Sequence, residues 1–484
     1  MRKLLTGTVL VFVLLLAAYG ISSYWVGTQA QKQYDLLLAR ASQNHSTEAT
    51  TKSYQRGIFH SKAVTTIHVN GTTAEAGRTV AYEFNIVNSI QHGPLAMLKG
   101  AHAKNGIRPV IAVISTHLAP ADENPAQLKE FFKKFPELES SEILTVLSFD
   151  GSGESFFDVP AFRKQLVEQT GAETTLDWGG FSSSATFDVA LGEVSGSFQA
   201  PFLEVGENGG RFRVKEIKGD FNAHPGVKGL SVGEMSISSN NIEASSNEGK
   251  PVFLLESPGI QMETGVSGET IHGSFLARFE KLSAGGDVYG PFTFDLDANK
   301  LDPAAIARFQ ENLKVLQDQM SNKSEEELKS GFASCYKQFL IDLLAKSPEV
   351  ELKQVSIKTS RGDLTGKLKI GVSGPAGEMS GNILFLLANL SASADVVVSE
   401  PLFFFLMENS LRSELASENR SDSQELQKAA GEKAAAVVET LLAQNFIQRD
   451  KGSFKTSASY KSGKVTINGR KLNIMDLLKS PLPE

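Results

Sequence analysis

The sequence predicts an α+β fold: a predominantly long antiparallel β-sheet with a helical hairpin and a C-terminal α/β region, carried on one N-terminal transmembrane helix. Three observations support this prediction. An apolar run of membrane-spanning length opens the chain, many alternating apolar and polar segments with short glycine-rich joints follow, and two amphipathic helical segments interrupt that series. Strands that follow one another through short turns pair antiparallel rather than through βαβ units.

The N-terminal run covers residues 4–26, directly after Arg2 and Lys3. At 1.5 Å per residue it reaches about 34 Å, which exceeds a hydrocarbon core of about 30 Å. The positive-inside rule places the N-terminus in the cytoplasm, and Trp25 lies at the outer end of the run, where aromatic rings prefer to sit. A cleaved signal peptide is the alternative, with Ala18–Gly20 as its cleavage site.

Charge and cysteine content narrow the range of functions. The formal net charge is -7, and without Arg2 and Lys3 the part beyond Val26 carries -9. Nucleic acids and anionic membrane surfaces require a basic face, so nucleic acid is not an expected partner. Cys335 is the single cysteine. No intramolecular disulfide can therefore form, and the exported part must rely on its hydrophobic core.

Composition shifts and turn signals divide the chain into five predicted segments. They are a cytoplasmic tip and anchor at 1–27, a juxtamembrane helix and hinge at 28–51, a β-rich region at 52–301, a helical hairpin at 302–347 and a C-terminal α/β region at 348–484.

Helix signals are clearest at the hairpin. Asp302 supplies an N-cap and Pro303 the first helical residue, and a capping box starts the second helix at Ser324. Within the β-rich region, helical spacing of apolar residues predicts two short helices, at Gln127–Phe135 and Pro160–Gln169.

No reaction signature was recognised in the sequence. The chain lacks Cys-x-x-Cys, His-Glu-x-x-His, a phosphate loop and a dinucleotide fingerprint, so neither a metal nor another cofactor is expected and no catalytic residue is assigned. A hydrolase with dispersed catalytic residues remains an alternative. It would require a tight polar cluster around His92, His102 or His117.

Apolar surface is the feature that most suggests a function. The chain holds 30 Phe against 2 Trp, and one helical run is apolar around its whole circumference. That run comprises Leu402, Phe403, Phe404, Phe405 and Leu406. Such a helix is normally buried in a core; the alternative is that it lines a groove for an acyl chain or a partner. A long antiparallel sheet that curls around an apolar face can also hold lipid.

Several motifs resemble the YdgA/YihF-like family of bacterial envelope proteins. They are Tyr54-Gln55-Arg56-Gly57-Ile58-Phe59-His60-Ser61, His92-Gly93-Pro94-Leu95, the start of a strand at Trp178–Phe181, the helix entry Leu301-Asp302, and the closing hairpin Gly463–Gly469. The resemblance implies an inner-membrane anchor and a periplasmic body, and it brings no established activity and no catalytic residues.

Structural roles are expected for the motif residues Tyr54, Arg56, Gly57, Phe59, His92, Gly93, Pro94, Asn468 and Gly469. Arg56-Gly57 suits a bulge that redirects a strand, and Gly93-Pro94 suits a turn that ends one.

The first functional hypothesis is a non-enzymatic, membrane-tethered periplasmic protein that binds an apolar ligand or another envelope protein. The alternative is a lipid carrier or bridge that holds acyl chains in a sheet-lined groove. A contiguous apolar channel in the fold would favour the lipid carrier over a pure interaction scaffold.

Overall fold

The computed structural model describes residues 20, 22–39, 47–72, 79–93, 110–120, 133–167, 173–188, 192–207, 209–318, 325–373, 388–417 and 423–473. The chain divides into two compact units. The first comprises Met1–Glu204, Ile217–Pro225 and Leu313–Phe332, and the second comprises Val205–Glu216, Gly226–Asn312 and Ala333–Glu484.

Five long helices are described. They are α1 at 22–39, α2 at Pro303–Asp318, α3 at Glu325–Leu343, α4 at Glu400–Ser417 and α5 at Ser423–Ala443. Short 3₁₀ helices cover Pro136–Ser140 and Leu344–Lys346.

The described strands number 25. They are β1 Thr47–Arg56, β2 His60–Thr72, β3 Thr79–His92, β4 Val110–Pro120, β5 Glu142–Ser148, β6 Ser152–Val159, β7 Phe162–Val167, β8 Glu173–Trp178, β9 Phe181–Asp188, β10 Glu193–Glu207, β11 Gly210–Pro225, β12 Ser231–Ser238, β13 Asn241–Ser245, β14 Pro251–Glu256, β15 Gly259–Ser267, β16 Thr270–Phe279, β17 Lys281–Ala284, β18 Asp287–Leu301, β19 Glu349–Thr359, β20 Gly362–Val372, β21 Leu390–Ser399, β22 Gln448–Asp450, β23 Ser453–Lys461, β24 Lys464–Ile467 and β25 Arg470–Asn473.

The first unit is built on an antiparallel meander. Strands β1 to β6 pair each with the next, β6 then pairs with β9, and β9 pairs with β10. Helix α1 lies on one face of this sheet. Val26, Ala30 and Tyr34, at helical spacing, form a core with residues of β2 to β5, including Ile90 and Leu147.

The second unit contains a run of eight antiparallel strands. Its order is β12, β15, β16, β18, β19, β20, β21, β23. Strands β18 and β19 are direct neighbours although α2 and α3 lie between them in the sequence. The two helices form a hairpin in which Phe309 stacks on Phe339 with ring centroids 4.2 Å apart.

Helices α4 and α5 cover one end of this run. Leu402 and Val438 pack against Val398, Ile447 and Phe454 in a buried cluster. Farther along the two helices, Leu411 and Leu426 form a second cluster.

The predicted α+β class with mostly antiparallel strands is confirmed at this level. The C-terminal strands β19, β20, β21 and β23 extend the sheet that contains β18. The predicted hinge is wrong for residues 47–51, which belong to β1 and pair with β2. The helix predicted at Pro160–Gln169 is also wrong over β7, since Phe162 pairs with Trp178 of β8.

Most of the predicted transmembrane run, residues 4–19 and 21, lies outside the described residues. Among the helices that are described, none combines the length and the apolar character needed to cross a membrane. The last turn of the predicted run belongs to α1, where Ser23 and Val26 are buried against the first unit's sheet. Those two side chains therefore contact protein rather than lipid.

We expect Leu402→Ala to destabilise the chain by about 2–5 kcal/mol, because the side chain is 4% exposed and its removal leaves a cavity. Leu406→Ala, on the same helix but 47% exposed, should change stability by less than about 0.5 kcal/mol. Urea unfolding of the full chain in detergent, followed by circular dichroism, measures both. Equal losses for the two variants would contradict this packing of α4.

Candidate functional site

An apolar face runs in register across the eight-strand run of the second unit. In its central row, eight apolar residues lie directly opposite one another on successive strands. They are Met235, Met262, Phe275, Leu296, Leu352, Leu368, Ala394 and Ala458. The next row on the same face holds Ile237, Ile260, Ala277, Phe294, Val355, Gly366, Val396 and Thr456. We call these two rows the apolar rows.

The opposite face of the same strands is polar. Its row beside the central apolar row holds Glu234, Glu263, Ser274, Asp297, Glu351, Lys369, Ser393 and Ser459. Ion pairs cross this face, among them Lys353–Asp297 at 2.7 Å and Lys369–Glu351 at 3.2 Å. Since successive side chains point to opposite faces of a strand, the sheet is amphipathic over its whole breadth.

None of the eight residues of the central row is buried. Met262 keeps 40% of its surface exposed, and Ile370, on the same face, keeps 36%. At about 4.8 Å between strands and 3.4 Å per residue, the two apolar rows span about 34 Å and roughly 500 Å². The largest apolar patch on a typical monomer is about 300–600 Å² and is often functional.

The helical run predicted to line a groove lies at one end of this face. Leu402 is buried in the core, so it is not available to a ligand, and the groove prediction is wrong for this residue. Phe403 and Phe404 pack edge-on against Phe454, with ring centroids 5.2 and 6.1 Å apart. Phe405 lies under the Arg361 guanidinium at 3.9 Å. Of the run, Leu406 alone is exposed.

The N-terminal family motifs meet at a second place, in the first unit, around the start of α1. Arg56 donates to the Tyr24 hydroxyl at 2.6 Å and to Thr28 Oγ1 at 3.3 Å, and its guanidinium lies 4.7 Å from the centre of the Tyr24 ring. Tyr54 packs against Tyr34, with ring centroids 5.9 Å apart. The motif residues of β1 therefore hold two successive stretches of α1.

His92 joins α1 to the sheet. Its Nδ1–H donates to the Ser23 carbonyl at 3.2 Å, which leaves Nε2 to accept from the Ser61 hydroxyl at 3.0 Å. Burial lowers the pKa of His92, and the bond to Ser23 opposes that shift only partly. The lowered pKa favours the neutral ring, in which Nδ1 donates and Nε2 accepts.

Polar side chains continue this network beneath α1. The Tyr34 hydroxyl bonds to Thr65 Oγ1 at 2.5 Å and accepts from Asn88 Nδ2 at 2.7 Å. Asn88 Oδ1 accepts in turn from Thr116 at 2.6 Å. Burial raises the pKa of Tyr34, so the hydroxyl stays protonated. Buried polar groups with such partners fix one orientation of the helix.

Two glycines allow the close approach of α1. A Cβ added at Gly27 would lie 2.5 Å from His92 Cε1, and one added at Gly93 would lie 2.5 Å from Ser23 Oγ. Gly93 also has φ +101°, in the region that favours glycine. At the β1–β2 turn, the Gly57 N–H donates to the His60 carbonyl at 3.0 Å, and the His92 N–H donates to the Phe59 carbonyl at 3.0 Å. Pro94 lies outside the described residues.

Asn468 and Gly469 form the β24–β25 turn in the second unit, with φ +47° and +83°. Asn468 Oδ1 accepts from the Ser457 N–H at 2.8 Å, and its Nδ2 donates to the Asn445 carbonyl at 3.0 Å. Asn468 thus ties this turn to the chain that follows α5.

Among the described residues, neither His92 nor His117 has the partners of a catalytic base. Ser61 and His92 are both buried beneath α1, where a substrate has no access, and His102 lies outside the described residues. His117 Nε2 is 3.2 Å from Ser115 Oγ, but that hydroxyl donates to Glu142. Because serine has one proton, His117 is a donor here rather than a base.

One stretch has the residue pattern of the nucleophile motif of hydrolases. Gly229–Gly233 spells Gly-x-Ser-x-Gly, which the sequence interpretation missed, but that motif acts where a strand turns into a helix. Here Ser231 begins β12. Among the described residues no group of three or more His, Cys, Asp or Glu could hold a metal ion.

The chain was compared with known proteins. Residues 1–475 match the family described as "Bacterial protein of unknown function (DUF945)". The chain belongs to this family. No curated protein and no solved structure matches it. Membership in DUF945 assigns no activity, so the geometry of the two sites carries the functional argument.

The sequence indicates the N-terminal motif residues but not that they meet around the start of α1. Strands β1 and β3 come together there only because both pair with β2. The sequence interpretation missed the apolar rows altogether. Each strand showed alternation, and only the register between strands puts Met262, Leu296 and Leu368 in one row.

We expect Gly27→Ala to destabilise the chain by about 1–3 kcal/mol, although alanine favours helix, because the added methyl meets the His92 ring. Gly431 in α5 is the matched control, since its added Cβ meets only Glu408 Oε1 at 3.6 Å. Gly431→Ala should stabilise by about 0.5–1 kcal/mol. Urea midpoints of the full-length variants measure both effects, and the same sign for the two would contradict the close docking of α1.

Proposed function

We propose that this protein is a non-enzymatic, membrane-tethered lipid-binding protein of the bacterial envelope, and that acyl chains bind across the apolar rows of the second unit. The observation that carries the proposal is the in-register apolar face with an unburied central row. The N-terminal apolar run and the motif resemblance to YdgA/YihF-like proteins support the tether at the inner membrane and a periplasmic body.

The chemistry of the face favours hydrocarbon over a protein partner. Fifteen of the sixteen positions in the apolar rows carry no side-chain hydrogen-bonding group, Thr456 being the exception. Protein interfaces contain about one hydrogen bond per 100–200 Å², whereas an acyl chain needs none. Met262 and Met235 add flexible thioethers, which adapt to irregular apolar ligands.

The dimensions fit more than one acyl chain. One leaflet contributes about half of the roughly 30 Å hydrocarbon core, so a chain of about 15 Å covers less than half of the 34 Å breadth. Each Å² of apolar surface that an occupant removes from water on this face contributes about 25 cal/mol.

A photo-crosslinking experiment in intact bacteria tests the proposal on the full chain. Benzoyl-phenylalanine replaces Met262 or Ile370 on the apolar face, and in matched controls it replaces the sequence neighbours Glu263 or Lys369 on the polar face. We expect phospholipid adducts, detected by mass spectrometry of the purified chain, at the first pair and not at the second.

Two results would overturn the lipid proposal. One is the same phospholipid yield at all four positions, which would indicate contact with bulk membrane only. The other is protein adducts without lipid at Met262 and Ile370, which would favour the hypothesis that another envelope protein covers the face.

A further inference from the structure

One end of the first unit's sheet carries exposed apolar side chains beside the start of α1. The β1–β2 turn presents Ile58 and Phe59, and the first turns of α1 present Tyr24 and Trp25. The exposed fraction is 54% for Ile58 and 56% for Trp25. These four side chains form what we call the corner patch.

The corner patch is held together by bonds already described. The Phe59 carbonyl accepts from the His92 N–H, and the His92 ring bonds to the Ser23 carbonyl of α1. Arg56 reaches from the turn to the Tyr24 hydroxyl. The turn and the start of the helix are therefore bonded to each other directly and through His92.

The patch lies at the end of the sheet where α1 begins. Ser23 lies beside His92, at the end of β3, whereas Tyr34 lies beside Asn88, farther along the same strand. The chain before α1 is the run that begins at Leu4. Tyr and Trp rings at the end of an apolar span mark the membrane–water interface, and an arginine can bury its stem there with its charge in water.

We propose that the corner patch inserts into the interface of the bilayer, with Ile58 and Phe59 entering beside Tyr24 and Trp25. The first unit is then held directly against the membrane, and its strands run away from the bilayer. This inference rests on the membrane tether of the proposed function and not on the apolar rows, so either can fail alone.

Two acidic groups at the same end of the sheet lie far enough from the corner patch to stay in water when the patch inserts. Asp150, in the β5–β6 turn, lies four strand spacings from the β1–β2 turn, about 19 Å at 4.8 Å each. Asp188 lies farther still, at the end of β9. Neither carboxylate needs to leave water when Ile58 enters the interface.

The test uses the full chain with Cys335→Ala, so that one introduced cysteine carries an environment-sensitive NBD dye. Ile58→Cys probes the corner patch. Ala161→Cys is the matched control, because Ala161 is also exposed but lies at the opposite end of β6, about 26 Å away along the strands. Both chains are reconstituted into vesicles of phosphatidylethanolamine and phosphatidylglycerol. Circular dichroism checks that each remains folded.

We expect the dye at position 58 to emit at shorter wavelength than the dye at 161 and to be quenched several-fold more strongly by nitroxide-labelled lipid. Equal exposure of both dyes to aqueous iodide, with no lipid quenching at 58, would overturn the insertion. Failure of the chain to float with the vesicles would overturn it too, by removing the tether. Neither result would change the crosslinking expected at Met262, which tests lipid binding by the apolar rows.

Discussion

An antiparallel sheet with one apolar and one polar face must remove the apolar face from water, because that burial is the main favourable contribution to its stability. In the first unit, α1 covers the face, and Val26, Ala30 and Tyr34 fill the core above β2 to β5. In the second unit, α4 and α5 cover the end of the face at Val398 and Phe454. The apolar rows beyond that end keep their exposure among the described residues, and the functional proposal follows from this difference.

The docking of α1 on the sheet brings the two N-terminal family motifs together. Arg56 and His92, one from each motif, contact α1, which gives both motifs a structural role. Because α1 is docked through a buried polar network, the proposed membrane tether ahead of α1 would hold the first unit in one orientation.

Local patterns predicted much of the fold. Alternation identified most strands, and Asp302-Pro303 marked the start of α2 within a residue. Two failures have the same physical cause. Residues 47–51 are too polar to read as a strand, and Phe162–Val167 reads equally well as a helix. Pairing with β2 decides the first case and pairing with β8 the second. The register between paired strands also depends on residues that are far apart in the sequence. The β18–β19 pairing spans the α2–α3 hairpin, so the apolar rows could not be read from any single segment.

The phospholipid content of the purified full chain tests the central claim most directly. A variant with Met262→Glu and Ile370→Glu places two charges on the apolar face at exposed positions, and a control with Glu263→Gln and Lys369→Gln alters the polar face beside them. After equal detergent washing, mass spectrometry should find that the first variant, folded by circular dichroism, has lost most of the phospholipid that the native chain and the control retain. The same lipid content in all three would contradict the account.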